Sequence, residues 1–548
     1  MRKSRVDIAN ESINLSCFPY KVGHDREGVC LLLNMGEHRI LLDCGIADIT
    51  ALQTDGELPA ELVFCSHAHL DHCRGLPQLT QAFPDLPIYT SEVTAKLLPI
   101  HWTEEVTEIM ENRLHTLSWR SPITIGSNLQ IELFPAGHLP GAATILLTYK
   151  TAVKDYKVMY SGDFSLSNFQ LVEGLSIENM RGISPDVLIV EGSYGTVRHP
   201  HRRHQEKQLM SRINSALMSG MNILLPVAGI GLGQEILKLL RSHHQFTGRD
   251  LDIWVDANVA KACNIYLDLL RQFPASVQNF AKHQSLFWDD RVCPRMQQID
   301  SAADIFQGKL PCIVLVDRER DFLSYISAQS GKWLVLLAQN PHEETFLESV
   351  ALNSLQKQAW VTTETYLLAE HSDGRNTTQL IHNLRPQHVI LVHGLPTYLL
   401  ELASLEELCN RYQIHSPRDG NLLELPIGDR FIQPKKATPT HYEGEINEKN
   451  SYIEIIFPDT LNNDPRWNRF ADTGIIEARW QGDEIVLRGI PQKELLNSNP
   501  NPRVANGIDC CQSCQHYRSQ KCWNQNSPLY GFKVIPEGYC PVYEPKEQ

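Results

Sequence analysis

The chain has no long uninterrupted run of apolar residues. Although 42% of its 548 residues are hydrophobic, no segment offers the roughly 18 consecutive apolar side chains that a membrane-spanning helix needs. The opening segment, Met-Arg-Lys-Ser-Arg-Val-Asp, also lacks the apolar core of a secretion signal. We therefore expect a cytoplasmic protein without a membrane partner.

Basic residues are fewer than acidic ones. The sequence has 50 Lys and Arg against 64 Asp and Glu, so its formal net charge is −14. Such a balance disfavours bulk electrostatic attraction to nucleic acid, although a local basic groove can exist within an acidic protein.

A complete phosphate-binding loop is missing too. Gly229 to Gln234 form a glycine-rich turn before an apolar helix, but the Lys-Ser/Thr pair of a P-loop is absent. The sequence also shows no internal repeat. What remains is the composition of an ordinary globular protein.

Histidine and aspartate are concentrated in one short segment. Phe64 is followed by Cys-Ser-His-Ala-His-Leu-Asp-His, which places His67, His69, Asp71 and His72 directly after an apolar run. Imidazole nitrogens and carboxylate oxygens are ligands of divalent ions such as Zn²⁺, and a turn that leaves a strand can direct alternate side chains at one point. The segment therefore predicts a site for two metal ions.

Other short apolar runs also end close to a potential ligand. The residues that follow such runs are Asp43, His138, Asp163, Glu191 and His393. Fully apolar runs of this length indicate buried strands, and strand ends of an α/β fold converge at one edge of a sheet. We therefore predict an α/β protein in which these side chains meet the metal segment.

The potential ligands lie within recognisable motifs. In chain order, the motifs surround Asp43, His67 to His72, His138, Asp163, Glu191, His371 (Ala-Glu-His-Ser-Asp-Gly-Arg) and His393 (Leu-Val-His-Gly). Together they resemble the motifs of the β-CASP branch of the metallo-β-lactamase superfamily, which includes RNA-processing nucleases such as RNase J and the nuclease subunit of the cleavage and polyadenylation specificity factor. The resemblance covers roughly residues 10–435.

The resemblance implies a metallo-β-lactamase αββα sandwich interrupted by an inserted α/β domain, the β-CASP domain, which lies over the active edge. We assign residues 1–200 and 361–435 to the sandwich and residues 201–360 to the insertion. Beyond them, strand-like segments predict a small β unit at residues 436–500, and a cluster of cysteines marks an extension at residues 505–548.

The same resemblance implies two Zn²⁺ in the active site. The first ion is held by His67, His69 and His138, and the second by Asp71, His72 and His393, with Asp163 bridging the two. A bound divalent metal lowers the pKa of water to about 7, and a metal pair can stabilise both the attacking and the leaving oxygen of a phosphodiester.

The catalytic residues that the resemblance implies are Asp163, His371, Glu191 and Asp43. His371 would protonate the departing oxygen, Glu191 would orient its ring and favour the imidazolium form, and Asp43 would fix a ligand loop. In this branch a His at the position of His393 accompanies RNA processing. Single-stranded RNA is therefore the expected substrate and partner.

The insertion departs from the family pattern. Leu232 stands where family members have Arg, and Asp256 opens Asp-Ala-Asn where they have Asp-Ser-Pro. Val-Asp-Arg-Glu-Arg-Asp at residues 316–321 replaces a glycine-rich loop, and its acidic side chains would repel a phosphate chain unless neighbouring arginines face it. The basic stretch from Arg198 to Arg203 is more typical of a solvated face than of a substrate contact.

A second metal-binding pattern lies in the extension. It consists of Cys511, Cys514, Cys522 and Cys540. A structural Zn²⁺ and an iron–sulfur cluster both use four thiolates, and either would fold a segment that is too small to bury a core. Both assignments stay open, as does the alternative of disulfides or unliganded thiols.

Three functions are compatible with these patterns. The leading hypothesis is a zinc-dependent exo- or endoribonuclease in RNA processing or decay. The altered loops keep a second hypothesis open, a metal-dependent hydrolase of a small phosphoester or thioester. The third is a non-catalytic subunit that binds RNA or a partner and senses metal or redox state through its cysteine tail. A homodimer is a candidate assembly.

Overall fold

Short apolar runs form the buried strands, as the sequence predicts. The strands Val187–Glu191 and His388–Val392 are buried along their whole length, which is typical of the interior of a parallel sheet with both faces covered. The computed structural model describes residues 13–24, 27–53, 58–299, 305, 308–327, 330–339, 358–428, 445–449, 452–456, 476–481, 484–489, 514–518 and 521–524. The chain divides into two units, Met1–Thr438 and Pro439–Gln548.

The first unit contains twenty strands within the described ranges. They are β1 (Leu15–Val22), β2 (Val29–Met35), β3 (His38–Leu42), β4 (Leu62–Phe64), β5 (Ile88–Ser91), β6 (Leu114–Leu117), β7 (Ile123–Ile125), β8 (Leu129–Pro135), β9 (Ala143–Lys150), β10 (Asp155–Tyr160), β11 (Val187–Glu191), β12 (Asn222–Val227), β13 (Asp252–Asp256), β14 (Arg295–Ile299), β15 (Ile313–Asp317), β16 (Trp333–Ala338), β17 (Val361–Tyr366), β18 (His388–Val392), β19 (Gln413–His415) and β20 (Leu423–Glu424).

Helices connect these strands. They are α1 (Leu70–Cys73), α2 (Leu76–Ala82), α3 (Glu92–Leu97), α4 (Glu104–Glu111), α5 (Arg202–Met218), α6 (Leu232–Ser242), α7 (Ala257–Asp268), α8 (Ala275–His283), α9 (Gly374–Leu384), α10 (Pro396–Ala403) and α11 (Glu406–Cys409). Short 3-10 helices lie at Thr50–Leu52, Leu98–His101, Glu178–Met180, Leu270–Gln272 and Phe322–Tyr325. None of the helices in the described part of the chain has the length and apolar content to cross a membrane.

Two seven-stranded sheets carry the predicted ligands. Their strand orders are β20-β1-β2-β3-β4-β5-β6 and β19-β18-β11-β10-β9-β8-β7. Strands β3 to β6 are parallel to one another, as are β10, β11, β18 and β19. Core side chains of both sheets, such as Leu33 and Val158, belong to one buried cluster. The loops that follow β3 and β4 therefore leave one edge of the first sheet, and those after β10, β11 and β18 leave one edge of the second.

A third sheet forms the predicted insertion. Its six parallel strands follow the order β14-β13-β15-β12-β16-β17, and helices α5 and α7 pack on it. The predicted boundary at residue 360 needs a correction, because β17 pairs with β16 and extends this sheet to Tyr366. As a half-exposed edge strand with a polar sequence, β17 lacks the apolar run that marks the other strands. The α/β class is confirmed.

The second unit forms three two-stranded pairs in its described part. β21 (Glu445–Lys449) pairs with β22 (Tyr452–Ile456), β23 (Ile476–Gln481) with β24 (Glu484–Gly489), and β25 (Tyr517–Arg518) with β26 (Lys521–Cys522). The first two pairs fall within residues 436–500, for which the sequence predicts a small β unit.

Candidate metal centre

The predicted metal segment follows strand β4. His67 and His69 lie in the loop, where the backbone of His69 is extended (φ −75°, ψ 146°), and α1 then begins. Asp71 and His72 are therefore in the first turn of a helix. His67 and His72 are fully buried, whereas the side chain of Asp71 is 36% exposed. The change from extended to helical backbone lets all four side chains reach one space.

A first group of potential ligands combines both sheets. It contains His67, His69, His138 and Asp163, with one ligand atom from each residue within 4.8 Å of the others. His138 Nε2 is 3.0 Å from His69 Nδ1, and His67 Nε2 is 3.4 Å from Asp163 Oδ2. Because His138 follows β8 and Asp163 follows β10, the second sheet supplies half of the group.

A second group of potential ligands lies on the other side of Asp163. Asp71, His72 and His393 have ligand atoms within 4.8 Å of one another, and His393 Nε2 is 3.1 Å from Asp71 Oδ2. Asp163 Oδ2 is 3.3 Å from His72 Nε2, while Asp163 Oδ1 is 3.4 Å from His393 Nδ1. The carboxylate of Asp163 therefore lies between the two groups.

The donor atoms at this point fit divalent metal ions. His67 Nε2, His72 Nε2 and Asp163 Oδ1 are buried, and none has a hydrogen-bond partner among the described residues. Buried polar atoms without partners are rare because each carries a desolvation cost. Imidazole nitrogens shared with a carboxylate are a donor set that zinc-type ions prefer. The residues present can therefore hold two such ions on either side of Asp163.

The charges of the groups lead to the same conclusion. Burial and the neighbouring imidazoles lower the pKa of His138 to about 3, so its ring is a neutral donor. Burial opposes the charged form of His393, but the carboxylates of Asp163 and Asp71 outweigh it and raise its pKa to about 10. The ionised carboxylates thus require positive charge beside them, which metal ions can supply in place of protons.

Asp43 holds the ring of His72 in position. Its backbone adopts a positive φ of 58°, and its buried carboxylate accepts hydrogen bonds from Ser66 N, Ser66 Oγ and Tyr160 OH. His72 Nδ1 is 2.7 Å from Asp43 Oδ2, which leaves Nε2 directed at the centre. Carboxylates that contact the second nitrogen of a metal-binding His fix its ring orientation in this way.

Beside the two groups lies an imidazole–carboxylate pair. His371 Nδ1 is 2.8 Å from Glu191 Oε2, and Glu191 is buried, with its other oxygen accepting a hydrogen bond from Phe164 N. Burial works against both charges, yet the pair holds the pKa of Glu191 at about 2 and raises that of His371. His371 Nδ1 is 3.8 Å from Asp163 Oδ2. An imidazolium is thus available next to the candidate ions.

The same pair lies close enough to other donors to share an ion. Asp163, Glu191, His371 and His393 also have ligand atoms within 4.8 Å of one another. In the structure, however, the Nδ1 of His371 and the Oε2 of Glu191 contact each other at 2.8 Å. Ser193, which the sequence analysis missed, donates a hydrogen bond to that Oε2 as well.

Sequence reasoning also missed a buried arginine behind the centre. Arg198, His201 and Arg203 are exposed, as predicted for a solvated face, but Arg202 is only 3% exposed, so the prediction is wrong for this residue. Its Nη1 donates to the carbonyl of Ala369 at 2.6 Å, and Gln205 Oε1 accepts from Ala369 N. The next carbonyl, of Glu370, lies 3.0 Å from His138 Nδ1. The first turn of α5 therefore supports the segment that carries His371.

The cysteine pattern is described only in part. Cys514 is buried, and Cys522 lies in β26, paired with Tyr517 across the turn. Cys511 and Cys540 lie outside the described residues. The four-thiolate site therefore stays a prediction.

Two family profiles match the sequence. The profile described as "Beta-lactamase superfamily domain" matches residues 38–215, and the one described as "Zn-dependent metallo-hydrolase RNA specificity domain" matches residues 363–409. The first match runs from β3 into α5. The second begins within β17 and contains His371 and His393.

Relatives match along most or part of the chain. The "Uncharacterized protein sll0514" of Synechocystis sp. is 48% identical over 97% of this chain and 97% of its own length. An "RNase J-like protein" of Methanocaldococcus jannaschii is 28% identical over 52% of this chain and 67% of its length. "Cleavage and polyadenylation specificity factor 73" of Drosophila melanogaster is 24% identical over 81% and 69%.

A solved structure shares the fold. It is that of a protein of unknown function from Enterococcus faecalis V583, with a TM-score of 0.51 and 16% identity. The match covers 75% of this chain and 100% of that one.

Proposed function

This chain belongs to the β-CASP branch of the metallo-β-lactamase superfamily, and on that premise we propose that it hydrolyses RNA phosphodiesters with the help of two zinc ions. The observation that carries the proposal is that Asp163 belongs to one ligand group and lies 3.3 Å from His72 and 3.4 Å from His393 of the other, with His371 and Glu191 directly beside them. This arrangement would place two metal ions and a proton donor, His371, next to one another.

Each group has its own place for an ion. His67, His69 and His138 would hold one zinc, and Asp71, His72 and His393 the other, with Asp163 between them. When bound, the ions supply Lewis acidity and activate water, as P-O hydrolysis requires. Asp43 keeps the ring of His72 in place for this purpose.

His371 would supply the proton for the departing oxygen. Its contact with the Glu191 carboxylate favours the imidazolium form, and because that contact uses Nδ1, Nε2 is the nitrogen left to donate the proton. Glu191 is itself held by Ser193 and by the amide of Phe164, so the ring has little freedom to turn.

RNA is favoured over other substrates by the relatives. The names of the Methanocaldococcus and Drosophila proteins refer to RNA cleavage or polyadenylation, and the second family profile is that of an RNA specificity domain. The presence of His393, which the resemblance associates with RNA processing, agrees with them.

The test is cleavage by the purified full chain. End-labelled single-stranded RNA, single-stranded DNA and a generic phosphodiester are incubated with the wild type, with Asp71→Ala and with His371→Ala, and bound metal is measured for each. We expect RNA cleavage that both substitutions impair, with metal lost only from Asp71→Ala.

Three results would contradict the proposal. Turnover of a small ester without RNA cleavage, under any divalent metal, would identify a small-molecule hydrolase. Binding of RNA without hydrolysis of any substrate would identify a non-catalytic subunit. RNA cleavage that survives Asp71→Ala unchanged would indicate a contaminating nuclease.

For the cysteine extension we propose a four-thiolate site that holds either Zn²⁺ or an iron–sulfur cluster. The spacing of Cys511, Cys514, Cys522 and Cys540 supports it. Anaerobic purification followed by absorption spectroscopy distinguishes the two, because only the cluster is coloured. Colourless protein with no more zinc than a Cys514→Ser/Cys522→Ser variant would contradict both assignments.

A further inference from the structure

The glycine-rich turn of the insertion lies against the candidate metal centre. We call residues 229–231 the glycine turn; it joins β12 to α6. The carbonyl oxygen of Ile230 is 3.2 Å from His69 Nε2. Because a carbonyl can only accept, the hydrogen of the neutral ring is on Nε2 and the lone pair is on Nδ1. The insertion therefore directs the Nδ1 lone pair of His69 towards the first group of potential ligands.

His138 is held in the complementary orientation. Its Nδ1 is 3.0 Å from the carbonyl oxygen of Glu370, in the segment that follows β17, the last strand of the insertion. The hydrogen of the neutral ring is therefore on Nδ1, and the lone pair of Nε2 faces His69 Nδ1 at 3.0 Å. Metal-binding histidines commonly donate their second N–H to a carbonyl in this way. Two backbone carbonyls thus direct two donor atoms at one ion site.

The rings of the second group contact the sandwich instead. His72 Nδ1 is 2.7 Å from Asp43 Oδ2, and His393 Nδ1 is 3.0 Å from Ser193 Oγ. Asp43 follows β3 and Ser193 follows β11, and both strands belong to the sandwich. A displacement of the insertion would therefore remove a contact from the first group and leave these two in place.

One buried side chain fixes the glycine turn. Gln234 Oε1 accepts from Gly231 N at 2.7 Å, and its Nε2 donates to the carbonyls of Gly229 at 3.1 Å and Val259 at 2.9 Å. Gln234 is fully buried in α6, whereas Val259 lies in α7. The side-chain amide therefore holds the residues on both sides of Ile230 and anchors them to a neighbouring helix.

The residue after Gln234 joins the insertion to the sandwich. Glu235 is 5% exposed, and its two carboxylate oxygens accept from the amides of Gln170 at 2.7 Å and Leu171 at 2.8 Å. These amides lie in the connection between β10 and β11. Because Glu235 follows Gln234 directly, this contact holds the glycine turn in place beside the strand ends of the sandwich.

We propose that Gln234 is a positioning residue of the first ion site, through which docking of the insertion controls how tightly that ion binds. The proposal rests on the proposed two-metal function and adds a control of one of its ions. Gln234 acts through the Ile230 carbonyl, which orients the ring of His69 and leaves Nδ1 for the metal. The second ion site, whose rings contact Asp43 and Ser193, should be independent of it.

The first experiment measures the zinc affinity of each site separately in the full-length chain. Asp71→Ala leaves the first group intact and His138→Ala leaves the second, so each background reports one site by competition with a chromophoric chelator. Gln234→Met keeps the length of the side chain but removes its amide, and it should raise the Kd of the first site about 10- to 100-fold without changing that of the second. Gln278→Met is the matched control and should change neither, since Gln278 Nε2 also donates to two carbonyls within the insertion.

The second experiment tests the same contact from the glycine turn. A Cβ at Gly231 (φ 97°) would lie 3.6 Å from His69 Nε2, whereas a Cβ at Gly220 (φ 74°) would meet open space. Alanine strains the backbone at both positions, so the contact with the ring distinguishes them. In the Asp71→Ala background, Gly231→Ala should raise the Kd for zinc and Gly220→Ala should not. This pair decides the question if Gln234→Met does not fold.

A spectroscopic measurement tests the hydrogen bond itself. In cobalt-loaded protein, the N–H protons of metal-bound imidazoles give paramagnetically shifted signals, and an N–H donated to a buried carbonyl exchanges slowly with water. We expect the His69 signal to exchange faster in Gln234→Met, while the His72 signal, identified by its response to Asp43→Asn, stays unchanged. Equal exchange rates of the His69 signal in both proteins would contradict the proposal.

The outcomes separate this proposal from the function on which it rests. If the wild type binds two zinc ions and cleaves RNA, but Gln234→Met and Gly231→Ala leave the first Kd unchanged, the positioning role is wrong and the two-metal function stands. If Gln234→Met weakens both sites equally, its effect is a general destabilisation and the positioning role is again wrong. If the folded wild type binds no zinc, the proposed function itself fails, and this control fails with it.

Discussion

The candidate metal centre and two segments of the insertion, residues 256–258 and 317–320 (the insertion loops), both contain buried aspartates, but the surroundings of these aspartates differ. In the centre, Asp163 Oδ1 has no hydrogen-bond partner among the described residues, and its Oδ2 lies 3.3 Å and 3.4 Å from two imidazole nitrogens. In the insertion loops, both oxygens of Asp256 and both oxygens of Asp317 accept hydrogen bonds from protein donors.

This difference shows which feature marks a ligand site. Burial and charge are common to all three aspartates, so neither distinguishes them. Unused hydrogen-bonding capacity does, because a buried acceptor without a partner is costly unless a ligand completes it. By this criterion the centre is the candidate binding site, whereas the aspartates of the insertion loops belong to a hydrogen-bonded scaffold.

The largest effect is expected when the shared ligand is removed. Asp163→Asn withdraws the negative charge common to both groups, so we expect bound zinc to fall and RNA cleavage to drop roughly a thousandfold. Elemental analysis of the metal and a cleavage assay measure the two effects. Asp317→Asn is the matched control and should retain both its bound metal and its RNA cleavage. If both variants lost metal and cleavage to the same extent, the difference between Asp163 and Asp317 would be wrong.

The next largest effect concerns the proton donor. His371→Ala should lower turnover about 100- to 10,000-fold, the range for a positioned general acid, while the metal content stays that of the wild type. Single-turnover kinetics with saturating enzyme isolate the chemical step. Loss of one metal ion together with activity would instead make His371 a ligand, through the group that it forms with Asp163, Glu191 and His393.

A smaller effect is expected at Asp43, which contacts the ring of the potential ligand His72. Asp43→Asn retains the shape of the side chain but weakens its hold on the ring of His72, so metal affinity should fall about 10- to 100-fold. Competition with a chelator at a series of free zinc concentrations measures it. An unchanged affinity would mean that Ser66 and Tyr160 position the loop without the carboxylate.

The smallest catalytic effect is expected in the insertion loops. Asp256→Asn removes the charge that Arg320 and Tyr325 contact, so the free energy of unfolding should fall by about 1–3 kcal/mol with kcat for RNA unchanged. Urea unfolding and steady-state kinetics report the two quantities. A loss of bound metal in this variant would show that the loops take part in the centre.

The residues of the centre could be predicted because their positions follow from local pattern. Asp43, His138, Asp163 and His393 each follow a strand, and parallel strands bring their ends to a common edge whatever the rest of the chain does. The segment from His67 to His72 needs only one change from strand to helix. These placements depend on few long-range contacts.

The insertion could be predicted less well because its groups are defined by distant partners. The sequence shows three acids in residues 316–321 but not that Asp317 meets Asn258, which lies 59 residues away. Arg202 looks like part of a solvated basic stretch, yet it binds the Ala369 carbonyl 167 residues along the chain. Among the described residues, β17 has a paired strand on one side only, and its exposed positions carry polar residues, so its sequence lacks an apolar run.

The most direct test of the central claim is a crystal structure of the zinc-loaded protein with anomalous scattering data at the zinc edge. We predict two peaks on either side of the Asp163 carboxylate, one within reach of His67 and His138 and the other within reach of His72 and His393, and none in the insertion loops. A single peak, a peak bonded by Glu191 and His371, or peaks at Asp256 or Asp317 would contradict the account.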